Sequence, residues 1–250
     1  MAAPDGRAEA AHRHLAPAPD PATGSPSGGR VALVADGDRE TGPRIVRKLA
    51  EQGMRVVLGS RSLESGRSVV GGLGSLAGRV AVRQLDPADP VSVERLAGWL
   101  YGRLGRCDVL VADASGVVEE DGPAGAMDLD VVRATVEQNL LGPWRLIQAV
   151  APLMRAAGYG RIVVLASGEP AHPRRNLAAY RVCHPAVVTL IATLAGELAG
   201  DGILINACCA GPPQAAPDDA HQTLETPIWL ATLPDDGLSG QLFAWRAPTP

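Results

Sequence analysis

The chain has 250 residues, of which 46% are hydrophobic, and a formal net charge of −4 at pH 7. This length suits one domain with a large core, and the mild charge gives no electrostatic reason to expect binding to nucleic acid or to an anionic membrane. No uninterrupted apolar run approaches the length of a membrane span, so we predict a cytoplasmic protein that does not bind a membrane.

The first 29 residues are rich in Ala, Pro, Gly and Ser, and they lack the apolar core of a secretory signal. A segment of this composition cannot bury enough apolar surface to offset the entropy that it would lose on ordering. We therefore predict a disordered N-terminal extension over residues 1–29 and a single folded domain over residues 30–250.

Apolar runs and helical patterns alternate along the rest of the chain. Strands are predicted over residues 30–35, 55–59, 80–85, 108–112, 162–166, 203–208 and 241–244. Helices are predicted over residues 42–52, 62–76, 90–104 and 129–157, the last interrupted near Gly142 and Pro143, and a further helix begins near Asn176. Continuous apolar strands are typical of a sheet that is buried on both faces. The pattern predicts an α/β fold with a doubly wound parallel sheet of about seven strands and helices on both faces.

The four cysteines have no paired spacing along the chain, and they are Cys107, Cys183, Cys208 and Cys209. A zinc site needs clustered ligands at defined intervals. We therefore predict free thiols, mostly buried, and no metal site.

Polar side chains follow the predicted fifth strand and continue into the next helix. Ser167 closes that strand, and Tyr180 follows it by thirteen residues. His184 comes four residues after Tyr180, so the two positions share one face of the helix. The carboxyl ends of parallel strands are where open α/β sheets bind ligands, so we expect a small-molecule site here.

These residues resemble the catalytic motif of the short-chain dehydrogenase/reductase family, in which a serine is followed thirteen residues later by Tyr-x-x-x-Lys. Asn139, in the tetrapeptide NLLG, matches the catalytic asparagine of the family. The resemblance covers residues 31–250, and it implies a Rossmann-like sheet with Asn139, Ser167 and Tyr180 as catalytic residues. The C-terminal 25 residues are similar to those of actinobacterial members of the carbonyl-reductase type.

The cofactor residues of the family are matched at three positions. Gly42 remains from the glycine motif, Asp86 follows the third strand where the family contacts adenine, and Arg61 is a basic residue of the kind found in NADP-preferring members. The resemblance also implies a homodimer or homotetramer, formed through the helices that contain Asn139 and Tyr180.

The sequence departs from the family at several positions that face the cofactor. Asp36 and Glu40 replace two glycines of the Thr-Gly-x-x-x-Gly-x-Gly motif. In the family these glycines let backbone N–H groups approach the pyrophosphate. A carboxylate ~5 Å from a phosphate charge repels it by roughly 3 kcal/mol at an effective dielectric near 20, which weakens binding ~100-fold. His184 replaces a lysine that carries a fixed charge in the family, and the segments 112–115 and 210–215 also differ.

These departures favour the loss of the nicotinamide cofactor, with Gly42, Arg61 and Asp86 retained as vestiges. We therefore expect an enzyme of small-molecule, including polyketide-type, biosynthesis that binds no cofactor. Ser167 and Tyr180 would polarise a carbonyl group and His184 would act as a base, for cyclisation, dehydration or isomerisation.

Two alternatives remain open from the sequence. One is an NADPH-dependent ketoreductase or carbonyl reductase that tolerates the substitutions, with NADP(H) as its cofactor. The other is a non-catalytic subunit that binds a small molecule or a related active chain. His184, and His172 in the loop after Ser167, also fit roles as ordinary helix and loop residues.

Overall fold

The computed structural model describes residues 29–116, 123–167, 177–210 and 225–244. The N-terminal extension lies outside these residues apart from Gly29, so its disorder and the domain boundary stay predictions. His172 and the segment 211–215 also lie outside the described residues.

Within the described residues, seven parallel strands form one sheet in the order β3-β2-β1-β4-β5-β6-β7. The strands are β1 (Val31–Val34), β2 (Arg55–Ser60), β3 (Val80–Gln84), β4 (Val109–Asp113), β5 (Gly160–Ser167), β6 (Ile203–Ala210) and β7 (Leu242–Ala244). The predicted doubly wound sheet is therefore confirmed. The strand order reverses between β1 and β4, and a reversal of this kind opens a crevice at the carboxyl edge of the sheet.

Helices cover both faces of this sheet. They are α1 (Gly42–Glu51), α2 (Leu63–Gly71), α3 (Pro90–Arg103), α4 (Leu129–Val136), α5 (Gly142–Ala157), α6 (Ala178–Leu198) and α7 (Glu225–Ala231). Short 3-10 turns lie at Gly74–Arg79, Ala124–Ala126 and Ala199–Asp201. The sequence reading did not predict α7, because seven residues that contain a proline carry little helical pattern.

Two apolar cores lie on opposite faces of the sheet. One is formed by α3, α5 and α6, through side chains such as Leu100, Leu146 and Ile191. The other is formed by α1 and α7, through side chains such as Leu49 and Leu230. This arrangement is the burial on both faces that the continuous apolar strands predict.

The long predicted helix over residues 129–157 is interrupted, but earlier than expected. A π-helical turn at Glu137–Leu141 separates α4 from α5. Pro143 has no N–H to donate to the carbonyl of Asn139, four residues before it. The N–H of Gly142 bonds instead to the carbonyl of Glu137, five residues back. The π-turn therefore ends directly before the first turn of α5, which holds the proline, and turns of this kind are frequent at functional sites.

One of the described helices, Ala178–Asp201, is long and apolar enough to cross a membrane by length and composition, with a mean hydropathy of 1.6 over its most apolar stretch. A single helix of this kind is weak evidence for a membrane span. In this fold it packs against β6 and against α4.

Candidate active site

The carboxyl edge of the sheet brings together polar residues that are distant in sequence. Asp36 follows β1, Arg61 follows β2 and Asp86 follows β3. Asp113 and Ser167 are the last residues of β4 and β5. Arg61, Asp86 and Ser167, three of the predicted site residues, therefore lie along one edge, as expected for parallel strands.

The loop between β1 and α1 keeps the backbone of a glycine loop although two of its glycines are replaced. Asp36 (φ 50°) and Glu40 (φ 45°) are the two non-glycine residues with positive φ in the part of the chain that the structure describes. Residues with a side chain disfavour this left-handed region of φ/ψ space, whereas glycine adopts it readily. The loop therefore holds two side chains in a conformation that favours glycine, directly before the N-terminus of α1.

Close packing explains the two glycines that this loop contains, and the loop is called the phosphate loop (residues 35–42). A Cβ atom at Gly42 would lie 2.6 Å from the carbonyl oxygen of Asp36, and one at Gly37 would lie 2.9 Å from Cγ of Leu58. Gly37 had no role in the sequence prediction, although a glycine within three residues of the end of the first buried strand is a usable signal.

Arg61 connects three elements at the mouth of the crevice. Its Nε lies 3.4 Å from Oδ1 of Asp86 and 3.9 Å from Oδ1 of Asp36. Its guanidinium also donates a hydrogen bond to Oε1 of Gln138, in the π-turn. Sequence reasoning missed Gln138, because nothing local in the sequence brings it near the end of β2.

A cavity of about 380 Å³ opens beside Arg61 and Asp86, between the end of β3 and α3. Arg83 and Arg95 line it together with Trp99, and the guanidinium carbon of Arg83 lies 3.9 Å from the centre of the Trp99 ring. Three arginines face two aspartates among its walls, which suits a ligand that carries phosphate.

Two carboxyl groups in the crevice have perturbed acidities. Burial raises the pKa of Asp36 to about 6, although Arg61 lowers it in part. Burial also raises the pKa of Asp113. The hydroxyl and the backbone N–H of Ser115 both donate to Oδ1 of Asp113, and these two hydrogen bonds lower its pKa in part. Both groups therefore hold their protons more tightly than an exposed aspartate does.

The predicted catalytic residues lie at the β5 and β6 end of the same edge. Tyr180 is 4% exposed in the first turn of α6. His184 follows one turn later on that continuous helix, half-buried, with Nε2 3.5 Å from Sγ of Cys209 near the end of β6. Ser167 pairs in register with Ala210, and its side chain lies outside what the structure describes.

Asn139 is fully buried in the π-turn. Its Nδ2 donates to the carbonyl oxygens of Gly116, just after β4, and of Thr135, in α4. The amide therefore ties the π-turn to the end of the sheet. Asn139, Ser167, Tyr180 and His184 remain predicted site residues, and α6 packs against the π-turn that carries Asn139.

All four cysteines are free thiols, three of them buried and Cys209 half-buried. Burial raises the pKa of Cys209 and raises that of Cys107 to about 12, so neither thiol is readily ionised. Among the described residues, no group of three or more His, Cys, Asp or Glu side chains is arranged to hold a metal ion.

Known proteins resemble this chain in sequence and in structure. A 2-dehydro-3-deoxy-L-rhamnonate dehydrogenase (NAD(+)) from Sphingomonas sp. (strain SKA58) is 28% identical, over 72% of this chain and 70% of the relative. A cis-4-hydroxycyclohexanecarboxylate dehydrogenase from Sinomonas cyclohexanicum is 31% identical, over 73% and 72%. A metagenomic short-chain oxidoreductase crystallised with NADP is 29% identical, with a TM-score of 0.75 over 87% of this chain and 97% of that one.

The expectation from the sequence that the chain binds no cofactor is wrong, and these relatives contradict it. One relative is named as an NAD(+) dehydrogenase, and a solved structure with the same fold holds NADP. The relatives also give no support to non-redox cyclisation, dehydration or isomerisation, since their names describe dehydrogenases and an oxidoreductase. They support the alternative reading of the sequence, a nicotinamide-dependent oxidoreductase.

The family resemblance itself is confirmed. A family model described as short chain dehydrogenase matches residues 30–222, most of the chain. The seven-stranded parallel sheet agrees with that match. This chain therefore belongs to the short-chain dehydrogenase family.

Proposed function

We propose that the chain is an NADP(H)-dependent oxidoreductase that interconverts a carbonyl group and an alcohol on a small molecule. The observation that carries this proposal is the backbone of the phosphate loop, where Asp36 and Glu40 have positive φ at the two positions where the family motif has glycine. A chain with no need for the dinucleotide has no evident reason to hold two side chains in that conformation.

The residues of the crevice fit a dinucleotide in most respects. The N-terminus of α1 offers backbone N–H groups and the positive end of a helix dipole to a pyrophosphate. Gly37 and Gly42 keep the loop compact, since a Cβ at either position would clash. The carboxyl group of Asp36 is the feature that opposes the fit, because it adds negative charge beside the phosphates.

Arg61 supports a preference for NADP(H) over NAD(H). Its guanidinium lies at the end of β2 with Asp86 and the arginine-lined cavity beside it. Arginine binds a phosphate through two parallel N–H···O bonds, so Arg61 would hold the 2′-phosphate while Asp86 meets the adenine.

The residues of the chain supply the proton chemistry. When bound, the nicotinamide supplies a hydride to the carbonyl carbon, or removes one from the alcohol. Tyr180 donates its hydroxyl proton to the carbonyl oxygen during reduction and takes it back during oxidation, while Ser167 holds that oxygen. His184 takes the position of the family's lysine and returns the proton to Tyr180. Cys209, 3.5 Å from the His184 ring, helps to orient it.

The exposed faces of three helices support the proposed homodimer or homotetramer. Leu129 in α4 and Val182 in α6 are 63% and 69% exposed, and Trp144 in α5 is also exposed. Large apolar side chains in this position favour burial against a second copy of the chain. We also propose a cytoplasmic location, because the long apolar helix Ala178–Asp201 packs against β6 and α4 as part of the folded domain.

The test begins with NADPH and NADH titrated into the full-length protein, with binding followed by calorimetry. We expect saturable binding that is tighter for NADPH than for NADH. Turnover is then measured as NADPH consumption with a panel of cyclic and acyclic ketones. A lack of saturable binding of either dinucleotide, at any pH between 5.5 and 8, would contradict the proposal.

Removing the hydroxyl of Tyr180 tests its role in catalysis. We expect Tyr180→Phe to lower turnover by a factor of roughly 10²–10⁴, the usual contribution of a positioned acid, and to leave the dissociation constant of NADPH nearly unchanged. Tyr159→Phe is the matched control, because Tyr159 lies between Arg30 and Arg161 near the start of β5, at the opposite edge of the sheet. Equal turnover in Tyr180→Phe and the wild type would remove Tyr180 from the mechanism.

A further inference from the structure

Asp36 carries a carboxyl group that is buried inside the phosphate loop. It is 4% exposed, and among the described residues neither of its oxygens has a hydrogen-bond partner. A carboxylate anion in such a place loses the hydration that stabilises its charge, and no hydrogen bond replaces that hydration. The neutral, protonated form of Asp36 is therefore favoured by its position.

Charged side chains face Asp36 from the ends of two neighbouring strands and from its own loop. They are Arg61 after β2, Asp113 at the end of β4, and Asp38 and Arg39 in the loop. Arg61 is 3.9 Å away and is shared with Asp86 and Gln138, so it neutralises Asp36 only in part. The first turn of α1, which packs against the loop, carries no acidic residue.

We propose that Asp36 takes up one proton when the dinucleotide binds, so that the cofactor is held by a neutral Asp36. This inference rests on the proposed function. The pyrophosphate binds at the N-terminus of α1, directly beside the loop. A charged Asp36 about 5 Å from a phosphate would weaken binding ~100-fold, whereas a protonated carboxyl group adds no charge and can donate a hydrogen bond to a phosphate oxygen.

The inference gives a definite pH dependence for cofactor affinity. Since burial already raises the pKa of Asp36 to about 6, the group is mostly protonated in the free protein below that pH, and affinity there is constant. Above pH 6 the free protein must take up a proton in order to bind. The dissociation constant then rises by up to tenfold per pH unit and reaches ~100-fold near pH 8, where the charged form begins to bind directly.

Calorimetry of the full-length wild-type protein tests the proton directly. NAD⁺ is titrated at pH 7 in two buffers of low and high ionisation enthalpy, and the difference in binding enthalpy gives the number of protons taken up. NAD⁺ is used beside NADP⁺ because a 2′-phosphate titrates near pH 6 and adds a proton change of its own. We expect an uptake close to one proton with NAD⁺, and a dissociation constant that rises between pH 6 and pH 8.

Three amide variants assign the proton to one residue. We expect Asp36→Asn to bind NAD⁺ with no proton uptake and with an affinity that is independent of pH between 6 and 8. Glu40→Gln is the matched control in the same loop, because Glu40 is exposed, and it should keep the uptake. Asp113→Asn should also keep it, although Asp113 is partly buried and has a raised pKa.

The possible results separate this inference from the proposed function. Saturable NAD⁺ or NADP⁺ binding without proton uptake, and with constant affinity for NAD⁺ from pH 6 to pH 8, overturns the role of Asp36 and leaves the proposed function in place. Loss of the uptake in Asp113→Asn with retention in Asp36→Asn also overturns it. If neither dinucleotide binds to the wild type or to Asp36→Asn at any pH, both the proposed function and the proton uptake by Asp36 are wrong. The wild-type measurement needs no variant, so it decides the matter even if Asp36→Asn fails to fold.

Discussion

Asp36 and Glu40 lie in one loop and both have positive φ, but they differ in their exposure to solvent. Glu40 is exposed, so its charge is solvated and its replacement of glycine affects mainly the backbone. Asp36 is buried without a hydrogen-bond partner among the described residues, so its charge is destabilised by the fold itself. At the scale of single residues, burial rather than residue type decides which acidic substitution matters.

The raised pKa of Asp36 predicts a pH-dependent stability. The pKa of Asp36 is about 6 in the folded state and 3.8 as its ordinary value, so the folded protein binds this proton more tightly than the unfolded chain does. Protonation of Asp36 therefore stabilises the folded protein, and this contribution is largest below pH 4. That contribution is lost as the pH rises through 6, by about 3 kcal/mol in total. We therefore expect the free energy of unfolding of Asp36→Asn, relative to the wild type, to increase by up to that amount between pH 4 and pH 7.5.

Urea unfolding at a series of pH values measures this difference. Glu40→Gln serves as the control, because an exposed carboxylate should change the unfolding free energy by less than about 0.5 kcal/mol at every pH. A constant difference between Asp36→Asn and the wild type across the series would show that Asp36 titrates normally.

At the scale of elements, glycines set how closely helices approach the sheet. Gly66 in α2 faces β2 and β3, and a Cβ there would lie 2.6 Å from Cγ1 of Val82 and 3.2 Å from Cδ2 of Leu58. Gly98 lies in the middle of α3, and a Cβ there would have no heavy atom within 4 Å among those described. The two helical glycines thus share a backbone conformation and differ in what surrounds them.

This contrast predicts opposite effects for the same substitution. Gly66→Ala should destabilise the protein by about 1–3 kcal/mol, because the added methyl group overpacks the contact between α2 and the sheet. Gly98→Ala should stabilise it by about 0.5–1 kcal/mol, because alanine favours the helix and meets no clash. Both unfolding free energies are measured in urea, and a stabilising Gly66→Ala would contradict the packing described for α2.

At the scale of the whole molecule, the two edges of the sheet have separate roles. The carboxyl edge carries the proposed site, and a fully buried arginine stabilises the opposite edge. Arg161, at the start of β5, donates to the carbonyl oxygens of Gly160 and Leu233 and to the carboxylate of Asp235. Its guanidinium also stacks on the ring of Tyr159. These contacts attach the segment after α7 to the sheet, far along the chain from β5.

Replacing Arg161 should therefore affect stability without altering cofactor affinity. We expect Arg161→Met to lower the free energy of unfolding by about 2–4 kcal/mol, because the carbonyl of Leu233 loses its buried donor. The control is Asp235→Asn, which should cost less than about 1 kcal/mol, since the Asp235 side chain is 86% exposed. NADPH affinity, measured well below the melting temperature, should stay within twofold of the wild type. A large loss of affinity in folded Arg161→Met would show that the two edges are coupled.

Sequence alone was sufficient for the architecture and for the order of the site residues along the chain. Continuous apolar strands alternating with helices can bury both faces of a sheet in few ways, so the seven parallel strands follow from periodicity. The carboxyl ends of such strands meet at one edge, which is why Asp36, Arg61 and Asp86 could be expected near each other.

The tertiary structure decided the properties that depend on neighbours distant in sequence. The burial of Asp36, the contact of Arg61 with Gln138 and the buried position of Arg161 arise from residues that no local pattern connects. The sequence prediction treated Asp36 as a fixed charge, and this was one of several departures from the family motif on which it rejected a cofactor. Whether a carboxyl group is charged is set by its solvation and by the charges around it, and these exist only once the chain has folded.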